Sequence, residues 1–142
     1  MGGIYGEYSL HAMNQYCRSI LNRPYELSST RREDREEYVR SSPQAHRKYR
    51  THCMIFSDIS SDKQYLEALK RYIGNVIELC NPQELSIFAD FIRLDENMSR
   101  VEKSFSRTLS SLYDRKISLQ FLNSKNHLSI QFADMEVGLY RR

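Results

Sequence analysis

The chain has 142 residues, of which 40% are hydrophobic and 27% charged, proportions typical of a globular protein with one hydrophobic core. They exclude a fibrous or wholly disordered chain. The net charge of +3, from 21 basic and 18 acidic residues, does not by itself choose a partner. We therefore predict a single domain over residues 1–142, with N-terminal helices and an interaction extension over 1–60 and a core over 61–134.

Cysteine usage indicates where the protein resides. Cys17, Cys53 and Cys80 are widely spaced, odd in number and embedded in apolar stretches, which is typical of buried free thiols in a reducing compartment. No apolar run approaches the roughly 20 residues of a membrane-spanning helix, and the N-terminus lacks a secretory pattern. We expect a cytoplasmic, intracellular protein without a membrane span.

The first half of the chain contains two predicted helices. The first covers residues 10–21, where apolar side chains recur at helical spacing. Thr30 and Glu33 form a capping box before the second, residues 31–40, whose surface is mostly charged. Residues 51–57 fit either the end of a helix or a short buried strand, and the pattern leaves both alternatives open.

Three helices are predicted next. The central helix covers residues 63–80 and follows two candidate N-caps, Ser61 and Asp62. The Asn-Pro-Gln-Glu sequence at 81–84 has the residue types of a helix start, which predicts a helix ending near Leu94. A further amphipathic helix is predicted over residues 98–113.

The periodicity then changes from helical to alternating. Apolar and polar residues alternate over 117–121 and again over 128–132, with a polar loop between them. This predicts a C-terminal antiparallel β-hairpin over 117–132. The expected fold class is α+β, predominantly helical with about five helices and this hairpin, similar to a winged helix-turn-helix.

The order of these elements matches that of DNA-binding winged-helix proteins. The residues that carry the likeness are Phe88-Ala89, Ile92, Leu94-Asp95 and Ser99-Arg100-Val101. They resemble the helix-turn-helix core of winged-helix regulators such as the MarR family, although the helix before Ile117 is longer than in that pattern. The resemblance implies that the 98–113 helix enters a DNA major groove and that the hairpin is the wing.

The 98–113 helix has a basic side. A rotation of about 100° per residue sends Arg100, Lys103 and Arg107 away from the apolar stripe. Such cations and nearby hydroxyls suit phosphates and base edges. We predict a non-enzymatic nucleic-acid-binding regulator, with duplex DNA as the favoured partner. Its predicted nucleic-acid contacts are Arg100, Lys103, Ser104, Arg107, Ser111 and Lys125.

A second basic patch precedes residue 51. It comprises Arg47, Lys48, Tyr49 and Arg50, and the mixture of aromatic and basic side chains suits phosphates or stacked RNA bases. The competing interpretation is a solvated helix surface with Tyr49 turned inward.

An alternative function follows from the ten tyrosines, because tyrosine is enriched in protein interfaces. Four of them, Tyr5, Tyr8, Tyr16 and Tyr25, lie near the N-terminus. The alternative hypothesis is a protein-interaction adaptor, effector or assembly subunit, with a protein partner or self-association as a homo-oligomer.

Enzymatic and metal-binding motifs are not found in the sequence. It contains no glycine-rich phosphate loop, nucleophile elbow or zinc-protease helix. His46, His52 and Cys53 lack the paired spacing of a zinc site. We therefore expect no catalytic residue, no metal and no cofactor.

Overall fold

The computed structural model describes residues 1–21, 49–54, 56, 59–90 and 97–140. In chain order these residues form β1 (Gly2–Tyr5), α1 (Leu10–Leu21), β2 (Arg50–Cys53), α2 (Asp62–Cys80), β3 (Glu84–Asp90), α3 (Met98–Tyr113), β4 (Lys116–Leu122), a 3-10 turn (Ser124–Asn126) and α4 (Leu128–Tyr140). They belong to two compact units, which we name the βαβ unit (Met1 and residues 54–123) and the terminal unit (residues 2–53 and 124–142).

The βαβ unit contains a parallel pair of strands. β3 and β4 pair in register from Glu84 opposite Lys116 to Asp90 opposite Leu122. Parallel neighbours require a crossover connection, and α3 is the helix in that connection. The odd-numbered residues of both strands pack into one core with the apolar stripe of α2. The buried members of this core are Leu69, Ile73, Ile77, Val101, Leu109, Ile117, Leu119 and Phe121.

A row of polar side chains on α3 hydrogen-bonds to the backbone of β4. We call this row the polar seam; it consists of Glu102, Ser106 and Ser110. Its oxygens accept hydrogen bonds from alternate β4 amides: Ser110 Oγ from Ile117 N (3.0 Å), Ser106 Oγ from Leu119 N (2.8 Å) and Glu102 Oε2 from Phe121 N (3.3 Å).

The spacing of the polar seam explains why it forms. Its members are four residues apart, about 6.0 Å along a helix, whereas alternate strand residues are about 6.6 Å apart. Ser110 Oγ also donates to Ile117 O at 2.9 Å, and Ser106 Oγ donates to Glu102 O at 2.6 Å. Because alternate backbone groups point to opposite edges of a strand, the seam occupies the β4 edge that faces away from β3.

Both helices of the βαβ unit end in a left-handed residue. Asn81 (φ 44°) follows α2 and Asp114 (φ 48°) follows α3. The Arg115 guanidinium joins the two ends: its Nε donates to Tyr113 O at 3.2 Å, and its Nη1 donates to Asn81 Oδ1 at 3.1 Å and to Pro82 O. This cation therefore holds the start of β3 against the end of α3.

The terminal unit is built from both ends of the chain. β1 and β2 pair antiparallel, with Gly2 opposite Cys53, and α4 packs against α1, β1 and β2. Tyr49 meets Tyr16 and Phe132 edge to face, with ring centroids 6.2 and 6.4 Å apart. Aromatic pairs prefer this edge-to-face geometry. The three rings lie in the hydrophobic core of the terminal unit, together with Met13 and Cys17.

The predicted fold class is wrong. The described residues contain four helices and two small sheets, rather than about five helices and a C-terminal hairpin. Residues 128–132 begin α4 instead of a second strand. Because α1, β1 and β2 all pack against α4, its apolar residues do not follow a single helical stripe, and their alternation imitates a strand.

Residues 84–90 form β3 rather than the predicted helix. Leu85, Ile87 and Ala89 face the core at alternate positions, whereas the helical interpretation grouped Leu85 with Phe88 and Ala89. Without this helix and without the hairpin, the resemblance to winged-helix regulators has no structural basis.

Several other predictions are confirmed. Helices α1 and α3 have the predicted bounds, α2 starts one residue earlier than predicted, and Ser61 caps it by accepting from Gln64 N at 3.2 Å. The open question at residues 51–57 is answered in part, because β2 extends to Cys53. The predicted helix over residues 31–40 lies outside the described residues.

The polar seam predicts a difference between two serines of α3. Replacing Ser106 by Ala leaves the Leu119 amide without its partner, which we expect to lower the free energy of unfolding by about 1–3 kcal/mol. Ser104→Ala is the matched control, because Ser104 is exposed on the same helix and its loss should change stability by less than about 0.5 kcal/mol. Urea unfolding measures both; equal effects would contradict the role of the seam.

The three cysteines differ in exposure. Cys17 is fully buried, as the sequence predicts, whereas Cys53 is half-buried and Cys80 is exposed. Burial raises the pKa of the Cys17 thiol from its ordinary 9.0 to about 12. Burial also raises the pKa of Tyr65, and the nearby Asp90 carboxylate adds to that effect.

These shifts predict instability in alkaline solution. Between pH 9 and pH 12 the unfolded chain loses the Cys17 proton while the folded chain retains it, so stability falls by up to about 4 kcal/mol. Tyr65 acts in the same direction above pH 10. Urea unfolding at several pH values should show a shallower decline in Cys17→Ala than in the wild type. Parallel declines would contradict the shift.

Candidate nucleic-acid interface

Helix α3 has three distinct sides. One side carries Val101 and Leu109 into the core, and a second carries the polar seam to β4. The third side is exposed, and we call it the cationic face: Arg100, Lys103, Ser104, Arg107 and Ser111. Because the first two sides are engaged, the rotation of α3 about its axis is fixed and the cationic face points outward.

The cations of this face are not paired with any carboxylate of the described residues. Within the described parts of the chain, Arg100, Lys103 and Arg107 form no ion pair, whereas Lys116 and Glu84 lie 3.5 Å apart. Arg100 and Arg107 are seven positions apart, which is about 10 Å along the helix. Three adjacent unpaired cations favour an anionic partner.

One residue of α3 departs from the predicted pattern. Leu112, which the periodicity assigns to the apolar side, is 57% exposed. It lies one residue before the end of the helix. The exposed surface of α3 is therefore cationic along most of its length and apolar near its C-terminus.

The other predicted contacts are not placed on α3. Lys125 is exposed in the 3-10 turn of the terminal unit, so it is not the tip of a hairpin. In the second basic patch, Arg50 is exposed at the start of β2, so it begins a strand and is not part of a helix surface. Tyr49 is only 5% exposed and lies in the core. Arg47 and Lys48 lie outside the described residues.

A groove of about 260 Å³ lies between α2 and α3 in the βαβ unit. Its floor is apolar, formed by Leu66, Val101, Phe105 and Leu109. Its rim is polar, with Glu67 and Lys70 from α2 and Arg100, Ser104 and Thr108 from α3. Arg100 and Ser104 belong to both the groove and the cationic face. The helical period places Thr108 beside Ser104, but the sequence does not show that α2 brings Lys70 and Glu67 opposite them.

Among the described residues of the terminal unit, Asn14, His127 and Ser129 form a cluster that resembles a catalytic arrangement. Asn14 Oδ1 accepts from Ser129 Oγ at 2.6 Å and from Ser129 N at 3.0 Å, while Asn14 Nδ2 lies 3.1 Å from His127 Nδ1. The serine donates to an amide oxygen rather than to an imidazole that would remove its proton. Asn14 therefore serves as a cap for the first turn of α4.

The tyrosines proposed as an interaction surface are only partly exposed. Tyr8 is 50% exposed, Tyr5 lies half-buried in β1, and Tyr16 packs against Tyr49. Tyr25 lies outside the described residues. The adaptor hypothesis stays a prediction, and the described structure adds no continuous tyrosine surface to it.

Comparison with known proteins identifies no relative: no family model, curated protein or solved structure matches the chain. None of the helices in the described ranges has the length and apolar character to cross a membrane. The same ranges contain no group of three or more histidine, cysteine, aspartate or glutamate side chains suited to a metal ion.

Proposed function

We propose that this protein binds nucleic acid by contacting phosphates with the cationic face of α3. The observation that carries the proposal is a set of three exposed cations, Arg100, Lys103 and Arg107, that form no ion pair with any described residue. They lie on a helix whose other sides are engaged in packing. Ser104 and Ser111 add hydroxyl donors to the same surface, and phosphate oxygens accept from both residue types.

The described fold favours contacts with phosphates over reading of base edges. A recognition helix must enter a major groove about 12 Å wide, and a helix with its side chains is itself about 10–12 Å across. α3 is flanked by β4 on one side and by the core on another, so its exposed strip lies along a surface. Such a strip is suited to a phosphate backbone, which carries about one charge per 1.7 Å of duplex axis.

The test neutralises the cationic face while keeping side-chain length. We expect Arg100→Gln/Lys103→Gln/Arg107→Gln to weaken binding of a fluorescent DNA, measured by anisotropy on duplex and single-stranded forms of one sequence. Each lost duplex phosphate contact should reduce the slope of log K against log salt by about 0.9, hence by up to about 2.7 in total.

A charge-matched control separates position from net charge. Arg18→Gln/Lys63→Gln/Lys116→Gln removes the same charge from exposed positions outside the cationic face and should keep most of the wild-type slope. If both triple variants lose the same affinity and salt slope, binding depends only on net charge, which would contradict the proposed face. Failure of the wild type to bind either DNA at low salt would overturn the function itself.

A further inference from the structure

We infer that the groove between α2 and α3 receives one unpaired base of a single-stranded nucleic acid, with Arg100 and Lys70 holding the adjoining phosphate. The inference rests on the proposed nucleic-acid binding and deepens it, because it names the strand form that the protein prefers. It follows from the size of the groove, the chemistry of its floor and rim, and its continuity with the cationic face.

The size and floor of the groove suit a single flat ring. A volume of about 260 Å³ is below the range of roughly 300–1,000 Å³ that holds drug-sized ligands. Leu66 and Phe105 are half-buried, so each presents part of its apolar surface to an occupant. Aromatic and apolar side chains are the usual platform for unpaired bases, and each stacked base contributes about 1–3 kcal/mol.

The rim of the groove complements the polar parts of a nucleotide. Lys70 and Arg100 supply two cations for a phosphate, and Ser104 and Thr108 supply hydroxyls that donate to or accept from a base edge. The Glu67 carboxylate is the acidic member of the rim and is an acceptor for the exocyclic amine of a base. An acyl chain would use the floor but none of these hydroxyls.

The groove and the cationic face share two residues, which gives the strand a path. Arg100 and Ser104 form the boundary between them, and Lys103 and Arg107 lie beyond it on the exposed side of α3. A strand whose base enters the groove therefore continues along cations. A base inside a duplex is stacked and paired, and reaching the groove would require unpairing, which costs a few kcal/mol.

The experiment fills the groove without adding an aromatic ring that itself would stack on a base. Thr108→Leu places a larger apolar side chain on the groove rim, whereas Ser99→Leu places the same side chain on an exposed α3 position outside both the groove and the cationic face. Anisotropy titrations compare a ten-residue oligothymidylate with a duplex of the same length for each full-length variant.

We expect the wild type to prefer the single strand by about tenfold, the energetic equivalent of one stacked base. The groove variant should lose this preference while keeping its duplex affinity, and the control should behave as the wild type. Intermolecular NOEs from thymine protons to Leu66 methyls, present in the wild type and absent in the groove variant, would support the same assignment. Circular dichroism confirms that each variant is folded.

Two results would overturn the inference. Single-strand affinity unchanged in a folded groove variant would remove the groove from the binding surface and leave the cationic-face proposal standing. Suppose instead that the wild type binds the single strand and the duplex equally well, and that neutralising Arg100, Lys103 and Arg107 still weakens binding. This result would also contradict the role of the groove and retain the cationic-face proposal. Absence of all DNA binding by the wild type would overturn both proposals.

Discussion

The hydrogen bonds between the polar seam and β4 are the constraint on which the rest of the βαβ unit depends. A two-stranded parallel sheet has two edges with unpaired backbone groups, and such edges are a liability in water. Ser106 and Ser110 close one edge with side-chain oxygens, each also donating its own proton to a carbonyl. The helix is thereby held at one rotation, and that rotation decides which α3 side chains are free.

The same constraint sets the position of the groove. Near the end of α3, the Tyr113 hydroxyl lies against Gly74 of α2, where a methyl group would approach it to 2.5 Å. The absence of a side chain at Gly74 therefore leaves room for the tip of the Tyr113 side chain. The groove is lined by earlier residues of both helices, from Leu66 to Lys70 and from Arg100 to Leu109.

The predictability of the elements depended on how many sides of each were buried. α1, α2 and α3 bury one stripe, so periodicity and caps predicted them well. α4 packs against α1, β1 and β2, and its apolar residues do not follow the helical period. At β3 the misleading signal was Asn81, whose residue type suits both a helix start and a left-handed helix end. In the structure it ends α2, and its side chain accepts from Arg115 instead of capping a new helix.

The candidate site was predictable only where it follows from one helix. A rotation of about 100° per residue along the predicted 98–113 helix places Arg100, Lys103 and Arg107 on one side, and all three are exposed in the structure. That periodicity gives no information about Lys70, which is 30 positions earlier and lines the groove together with Arg100 only in the folded chain.

The difference between the predicted winged helix and the observed helix with its groove changes which nucleic acid the protein is expected to bind. A recognition helix with a wing reads a duplex. A helix of fixed rotation, with a cationic strip beside an apolar groove, instead offers phosphate contacts to any strand and offers its apolar groove only to an unpaired base. The loss of the hairpin and the gain of the groove thus both shift the expected partner from duplex toward single strand.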